Sequence, residues 1–230
     1  MPLTLYELKG KGALRFSPYC WRTRMALAHK GLTADLVPVG FSDKPLIAFS
    51  GQGKVPILVD DGQTVHDSWT IACHLEDRYP DRPSLFSGPG GRALARFVNL
   101  WTDKQVHGAI SPLIVGDIPG ILDEPDRTVF VSSRAERLAT WIRTEPERDV
   151  ARRKLADVLT PVRDILAERP FLSGTAPAYA DYILLGPFQW ARCVSATPLL
   201  DRNDPVHAWR SRMMEAHGGL CAKAPGQPLD

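Results

Sequence analysis

The sequence lacks the features that would tie it to a metal, a membrane or a nucleic acid. Its four cysteines and six histidines are scattered, with no Cys-x-x-Cys pair, so neither a metal site nor a dithiol centre is predicted. No apolar run approaches the roughly 20 residues of a membrane span, and the N-terminus does not have the pattern of a signal peptide. The net charge is +2, from 28 basic and 26 acidic side chains without a basic block, which argues against a nucleic-acid partner. A reduced, cytoplasmic protein without a structural metal is the simplest interpretation.

The first 80 residues alternate between strand and helix patterns. Strands are predicted at 3–8, 35–39, 56–59 and 64–65, and helices at 18–30 and 68–79, with a loop over 40–53. Asp61-Gly62 is a turn signal that joins the last two strands in a hairpin. This order predicts a small mixed sheet with helices packed on it.

The composition changes after residue 80. Residues 83–91 are rich in proline, glycine and serine and predict a linker, which divides the chain into domains at 1–82 and 92–230. Helical periodicity then predicts helices at 92–107, 132–143, 150–168, 179–196 and 205–216, with 110–130 irregular and a frayed tail from Gly218. The predicted fold class is therefore α/β plus all-α.

Ser17 stands at the start of the first predicted helix. Serine is a favoured N-cap, and Pro18 suits the first helical position, where no N–H is needed. The hydroxyl would thus lie where the helix presents unpaired N–H groups and its positive dipole end, a place that favours an anion. The alternative is that Ser17 only caps the helix.

Lys54-Val55-Pro56, at a junction of loop and strand, suggests a backbone clip for a peptide-like ligand. Val55–Pro56 is a candidate for a cis peptide bond, which would leave the Val55 N–H and C=O free to pair with an extended ligand, while Lys54 could meet a carboxylate. The alternative is an ordinary proline at the start of a strand and a solvated lysine.

Asp67-Ser68 opens the second helix. Ser68 is the predicted N-cap, and the helix start could also receive a ligand carboxylate while Asp67 holds a ligand ammonium. A thiol site, a backbone clip and an amino-acid clamp together suit the tripeptide glutathione.

These motifs, in this order, resemble the glutathione transferase family over nearly the whole chain. The matching pieces are Ser17-Pro18-Tyr19-Cys20, Lys54-Val55-Pro56, Asp67-Ser68, Tyr79-Pro80, and Phe171-Leu172-Ser173-Gly174 followed by Ala180-Asp181. The resemblance implies a thioredoxin-like N-terminal domain that binds glutathione, followed by a helical bundle, in a detoxification enzyme that is commonly a homodimer.

A narrower resemblance is to the bacterial β-etherase-like branch and related fungal transferases. It is carried by Ser17-Pro18-Tyr19-x-Trp21-Arg22-Thr23, Val59-Asp60-Asp61-Gly62 and Tyr79-Pro80-Asp81-Arg82-Pro83. It implies glutathione-dependent cleavage of β-aryl ethers.

The resemblance also assigns roles to residues. Ser17 would donate to the glutathione thiolate, and glutathione would lie along Lys54, Val55, Pro56, Asp67 and Ser68. The acceptor, an apolar aromatic molecule, would bind between the domains near Tyr19, Phe41, Trp101 and His107. Two other functions stay open: a non-catalytic protein of this fold that binds a ligand or partner, and a glutathione-dependent isomerase, although that branch usually has Ser-Ser-Cys here.

Three further residues carry expectations. Cys20 has no second cysteine near it in sequence, so a disulfide cycle is disfavoured. Arg24 falls on the apolar side of the first helix and is predicted to form an ion pair or carbonyl contact at the domain interface. Ala178 stands where the family usually has a Ser or Thr N-cap, so the capping box with Asp181 is incomplete.

Overall fold

The N-terminal part of the computed structural model is a four-stranded mixed sheet; the residues described are 3–136, 138 and 144–228. Its strands are β1 (Leu3–Leu8), β2 (Ala34–Val39), β3 (Ile57–Asp60) and β4 (Gln63–His66), in the order β2-β1-β3-β4. Helix α1 (Pro18–His29) connects β1 to the parallel β2, β3 runs antiparallel to β1, and β3 and β4 form the predicted hairpin. Helix α2 (Ser68–Arg78) follows. The predicted mixed sheet is confirmed, and the predicted loop over 40–53 contains a short 3₁₀ helix at Lys44–Ser50.

Helices make up the rest of the described chain. They are α3 (Pro89–Trp101), α4 (His107–Ile114), α5 (Asp126–Ser132), α6 (Glu145–Val158), α7 (Thr160–Glu168), α8 (Tyr179–Val194) and α9 (Pro205–Gly219). A π-helical segment, Thr102–Val106, joins α3 to α4. Helix α8 lies in the centre of the molecule, with almost all of its side chains buried. The α/β plus all-helical fold class is thus confirmed.

Several predicted helix limits were wrong. The predicted irregular stretch 110–130 is mostly helical, since it holds α4, a 3₁₀ helix at Val115–Ile121 and the start of α5. The predicted helix at 150–168 is two helices, because Pro161 in the first turn of α7 has no N–H to continue α6. Helix α3 begins at Pro89, within the predicted linker, and residues 139–143 of another predicted helix lie outside the described residues. The division into domains at 1–82 and 92–230 stays a prediction.

The predicted frayed tail is also wrong. After α9 the chain turns back, and Cys221 is fully buried. The Arg192 guanidinium donates to the carbonyls of Cys221, Ala222 and Ala224, and the Gln227 N–H donates to the Arg192 carbonyl. Backbone carbonyls satisfied by one half-buried guanidinium hold the tail against α8, a contact that sequence periodicity does not reveal.

Helix α1 packs against α8 through a buried arginine that the sequence analysis overlooked. The Arg22 guanidinium donates to the Ile183 carbonyl at 3.2 Å, to Asn99 Oδ1 at 3.3 Å and to Asp103 Oδ1 at 2.8 Å. Arg24 forms the predicted ion pair, but with Glu7 of β1 at 3.3 Å rather than at the domain interface. The correction follows from position on the helix, since Arg24 faces the sheet and Arg22 faces α8.

Asp181 ties together the segments around the start of α8. Its carboxylate accepts the N–H groups of Leu172, Ser173 and Ala178 and the indole N–H of Trp209, at 2.8 to 3.2 Å. Ala178 has no side-chain oxygen to accept the Asp181 N–H, so the capping box is incomplete, as predicted, while its other half forms because the Asp181 carboxylate accepts the Ala178 N–H.

Candidate functional site

Three predicted site segments meet at one end of the sheet. Because β3 is antiparallel to both neighbours, β1 ends, β3 begins and β4 ends at the same edge, where Ile57 pairs with Tyr6 and His66. Ser17 follows β1, the Val55–Pro56 bond precedes β3, and Asp67 follows β4. The strand order therefore brings these segments together although 50 residues separate them in sequence.

Ser17 caps α1 and also lines a cavity. Its side chain is buried, and Oγ accepts the Cys20 N–H at 3.3 Å. A hydroxyl that accepts a backbone N–H still has its own proton to donate. The capping role and a donor role toward a ligand are therefore compatible.

The cavity beside Ser17 has a volume of about 370 Å³ and lies between the α/β part and the helical part. Six of the residues predicted for the site line it: Ser17, Tyr19, Phe41, Lys54, Val55 and His107. The other four, Pro56, Asp67, Ser68 and Trp101, are not among its lining residues. The cavity also has walls that the sequence analysis missed, from Phe16, Lys44, Ser111, Phe130, Arg134 and Trp190.

Trp101 instead packs, half-buried, against the hydrophobic core. It stands six residues before His107, at the other end of the π-helical segment Thr102–Val106. Of the two side chains, only His107 lines the cavity.

The Val55–Pro56 peptide bond is cis, as predicted. Val55 lies just outside the ladder of β3, and Lys54 beside it is exposed. Lys44 donates to the Gly53 carbonyl and so fixes the loop that carries Lys54. The Val55 backbone and the ammonium groups of Lys44 and Lys54 thus lie on one side of the cavity.

Asp67, rather than the predicted Ser68, is the N-cap of α2. Its Oδ1 accepts the N–H groups of Trp69 and Thr70 at 3.1 and 3.0 Å, and its φ is 71°. The turn after β4 therefore places Asp67 at the cap, with a positive φ that few residues other than glycine adopt. Ser68 is buried as the first residue of the helix, and its carbonyl accepts the Tyr179 hydroxyl at 2.6 Å.

The far wall of the cavity is aromatic. Tyr19 stacks on His107 with ring centroids 5.3 Å apart, and His107 stacks on Trp190 at 5.1 Å. Phe41 meets Phe130 at 5.2 Å, and the Arg134 guanidinium lies 4.8 and 4.7 Å from their ring centroids. These rings suit an aromatic ligand, because aromatic pairs gain energy beyond the area that they bury.

Asp126, the first residue of α5, joins the two parts of the molecule beside the cavity. Its Oδ1 accepts the Ser42 N–H at 2.9 Å and the Ser42 hydroxyl at 2.5 Å. Gly40 lies so close that a Cβ there would collide with the Asp126 carboxylate. This contact fixes Phe41 over the cavity.

Burial controls the titration of the groups near Ser17. It raises the pKa of Cys20 to about 12, so this thiol is protonated at neutral pH. Burial lowers the pKa of His107 to about 4, and the Arg22 guanidinium acts in the same direction. Burial also raises the pKa of Tyr19, with a further contribution from Asp103.

Among the described residues no group of three or more His, Cys, Asp or Glu side chains is placed to hold a metal ion. Within the same ranges, no helix has the length and apolar character that crossing a membrane requires.

Family models match most of the chain. Residues 16–78 match the glutathione S-transferase N-terminal domain, and residues 93–223 match the glutathione S-transferase C-terminal domain. A probable glutathione transferase of Aplysia californica is 39% identical over 75 residues, which is 32% of this chain and 80% of that protein. Glutathione S-transferase omega-1 of Sus scrofa is 21% identical over 88% of this chain and 75% of its own length.

Solved structures share the fold over nearly the full length. A glutathione S-transferase of Ceriporiopsis subvermispora, crystallised with glutathione, superposes with a TM-score of 0.76 at 22% identity, covering 97% of this chain and 94% of that one. The β-etherase LigF of Sphingobium superposes with a TM-score of 0.72 at 20% identity, covering 97% and 99%.

Proposed function

The chain belongs to the glutathione S-transferase family, and from this premise we propose that it is an enzyme in which Ser17 activates the thiol of bound glutathione. The observation that carries the proposal is the Ser17 hydroxyl at the start of α1, on the wall of a cavity that a backbone edge and an aromatic surface share. Glutathione, a co-substrate here, would bring its cysteine sulfur to this hydroxyl.

The tripeptide would bind along the sheet edge. The Val55 backbone offers an N–H and a C=O to the peptide of glutathione, and Lys54 offers a charge to a carboxylate. The α2 start would receive the other carboxylate, with Ser68 contributing its backbone and the exposed Asp67 facing the ammonium. Pro56 would contribute beside Val55, directly before β3.

The Ser17 hydroxyl would lower the pKa of the glutathione thiol. A free thiol has a pKa near 8.5, and a hydrogen bond to a charged group contributes about 1.5–3 kcal/mol. Since 1.36 kcal/mol corresponds to one pKa unit, this donor lowers the thiol pKa by about one to two units. At pH 7 the bound thiol would then be about 25% to 75% ionised, against about 3% for the free thiol.

The acceptor would be an aromatic electrophile bound against Tyr19, Phe41 and His107. The thiolate attacks an electrophilic carbon, a C–S bond forms, and the bond to the leaving group breaks with its electron pair. For a β-aryl ether the leaving group is a phenolate, which takes a proton from water. Similarity to the β-etherase LigF supports this reaction among the possible ones.

The test is glutathione binding by calorimetry together with ultraviolet absorbance near 240 nm, which reports the bound thiolate. We expect Ser17→Ala to bind glutathione with a thiol pKa about one to two units higher than in the wild type, and turnover at pH 7 to fall about 8- to 25-fold with the thiolate fraction. Ser17→Thr keeps the hydroxyl and is the matched control. Full thiolate formation in Ser17→Ala would contradict the role of Ser17.

The non-catalytic alternative makes a different prediction. A protein that only carries an aromatic ligand would bind it without glutathione and show no thiolate band. An isomerase would consume no glutathione over many turnovers, whereas a transferase would consume one equivalent for each product molecule.

A homodimer is proposed together with the enzyme. Leu94, Phe97 and Leu100 lie along one side of α3 and are 69%, 68% and 42% exposed. A second copy of the chain would cover this apolar side. Light scattering of the wild type and of Phe97→Lys tests it, since the charge should favour the monomer. We also propose that the protein acts in the cytoplasm, in detoxification of small aromatic electrophiles.

A further inference from the structure

His107, in the cavity wall, has a buried ring nitrogen that makes no hydrogen bond to any of the described residues. This nitrogen, Nδ1, is enclosed by protein, and the ring lines the cavity. The rings of Tyr19 and Trp190 stack on the imidazole and fix its plane. An enclosed polar atom without a partner costs free energy, so this ring is held in the wall at the expense of stability.

The position of the ring proton follows from this enclosure. Buried unpaired N–H groups are rarer in proteins than buried unpaired acceptors. The favoured tautomer therefore leaves Nδ1 unprotonated and places the proton on Nε2, the nitrogen that is not enclosed. Because burial and Arg22 lower the pKa of His107 to about 4, the ring is neutral at pH 7 and offers one N–H to the cavity.

We propose that the His107 Nε2–H donates a hydrogen bond to an oxygen atom of the aromatic acceptor, so that the site selects oxygenated aromatics over hydrocarbons. The proposal rests on the proposed function, since it specifies the acceptor of the same site. The rings around His107 supply apolar contact, while its N–H distinguishes a hydroxyl or ether oxygen from a methyl group of similar size. His107 is thus a specificity residue.

Two ligands that differ in one group test the proposal. The dissociation constants of 2-naphthol and 2-methylnaphthalene are measured by calorimetry for the wild type and His107→Phe, at saturating glutathione. We expect the ratio of the two constants to shift by about 2- to 10-fold toward the methyl compound in His107→Phe, because one neutral hydrogen bond is lost. His107→Gln retains a side-chain N–H and should restore part of the preference.

An unchanged ratio in His107→Phe, or a Gln variant that behaves like the Phe variant, would overturn the proposal. His107→Leu is the second apolar replacement if the Phe variant does not fold, as checked by thermal unfolding. Glutathione affinity is measured separately. If the wild type does not bind glutathione, the proposed function is refuted. The ratio of the 2-naphthol and 2-methylnaphthalene dissociation constants, measured without glutathione, would still test the role of His107.

Discussion

Arg22 illustrates how a single side chain can hold two parts of the molecule together. Its guanidinium is fully buried and yet donates to three acceptors, on α3, on the π segment and on α8. A buried charge is tolerated only when its donors are satisfied in this way. Its neighbour Tyr19, whose ring lies 4.9 Å from the guanidinium, belongs to the cavity wall, so the same arginine also supports the candidate site.

Removal of Arg22 should be strongly destabilising. We expect Arg22→Ala to lower the free energy of unfolding by about 3–5 kcal/mol, because the Asp103 and Asn99 side chains lose their partner inside the protein. Denaturant unfolding measures the change. Arg78→Ala is the matched control, since Arg78 pairs with Asp61 at the exposed surface, where such pairs contribute about 0–1 kcal/mol. Equal losses in the two variants would contradict the structural role of Arg22.

Single residues also show where sequence reasoning stops. Ser17 and Pro18 predict a helix start by local chemistry alone, and both lie at the start of α1. The choice between Arg22 and Arg24 depends on which side of α1 meets the sheet, and that is decided by contacts with β1 and α8. Helical periodicity placed Arg24 on the apolar side of α1, but it could not show whether that side packs against the sheet or against α8.

Among elements, the contact of α1 with α8 is close enough to require a glycine. A Cβ on Gly186 would lie 2.7 Å from the Pro18 carbonyl and 3.2 Å from Arg22 Nε. We expect Gly186→Ala to lower the free energy of unfolding by about 1–3 kcal/mol through overpacking, as measured by denaturant unfolding.

Gly108→Ala is the control for this substitution. Gly108 lies in α4, and nothing in the described chain is within 4 Å of an added Cβ there. Alanine should then stabilise the helix by about 0.5–1 kcal/mol. Changes of the same sign in the two variants would contradict the packing argument.

A hydrogen-bonded relay connects α1, α8 and α9. His29 Nε2 donates to the Ser84 carbonyl at 3.0 Å, and Tyr182 bridges His29 Nδ1 at 2.7 Å and His217 Nε2 at 2.8 Å. Because the Ser84 carbonyl can only accept, neutral His29 carries its proton on Nε2, and its Nδ1 accepts a hydrogen bond from the Tyr182 hydroxyl. His217 Nε2 then donates a hydrogen bond to the Tyr182 oxygen. Burial lowers the pKa of both histidines, so the relay is built for neutral rings.

Acid should therefore weaken the fold. A histidine with a lowered pKa contributes stability above the ordinary value near 6.5, and this contribution is lost as the pH falls below it. We expect the free energy of unfolding to fall between pH 7.5 and 5.5, and to fall less in His217→Asn. His66→Asn, at an exposed position of β4, is the control and should keep the wild-type pH dependence.

At the scale of the whole molecule, the sequence predicted the order of elements better than the cavity between them. Alternating strand and helix patterns and the Asp61-Gly62 turn gave the sheet, because these signals are local. The walls from Phe130, Arg134 and Trp190 escaped prediction. Phe130 lies on a helix of only seven residues, Arg134 on the turn after it and Trp190 on the central helix α8, and they meet at the cavity only after the two parts dock. The candidate thiol site could be predicted from the sequence, because it depends on the ends of helices and strands, which local sequence signals mark.

The Asp126–Ser42 contact predicts how this docking serves binding. Asp126→Ala removes both hydrogen bonds to Ser42, so the loop that carries Phe41 should lose its fixed position over the aromatic wall. Two hydrogen bonds to a charged group, at roughly 1.5–3 kcal/mol each before relaxation, correspond to about a 10-fold or larger loss of affinity for an aromatic ligand. Glutathione affinity should change by less than about twofold, because Val55 and the start of α2 lie at the sheet edge.

Asp126→Asn keeps one carbonyl oxygen as acceptor, and its affinity for the aromatic ligand should lie between those of the wild type and Asp126→Ala. Calorimetry with glutathione and with 2-naphthol separates the two effects, and a parallel loss of both affinities would mean that Asp126 supports the fold as a whole rather than the aromatic wall.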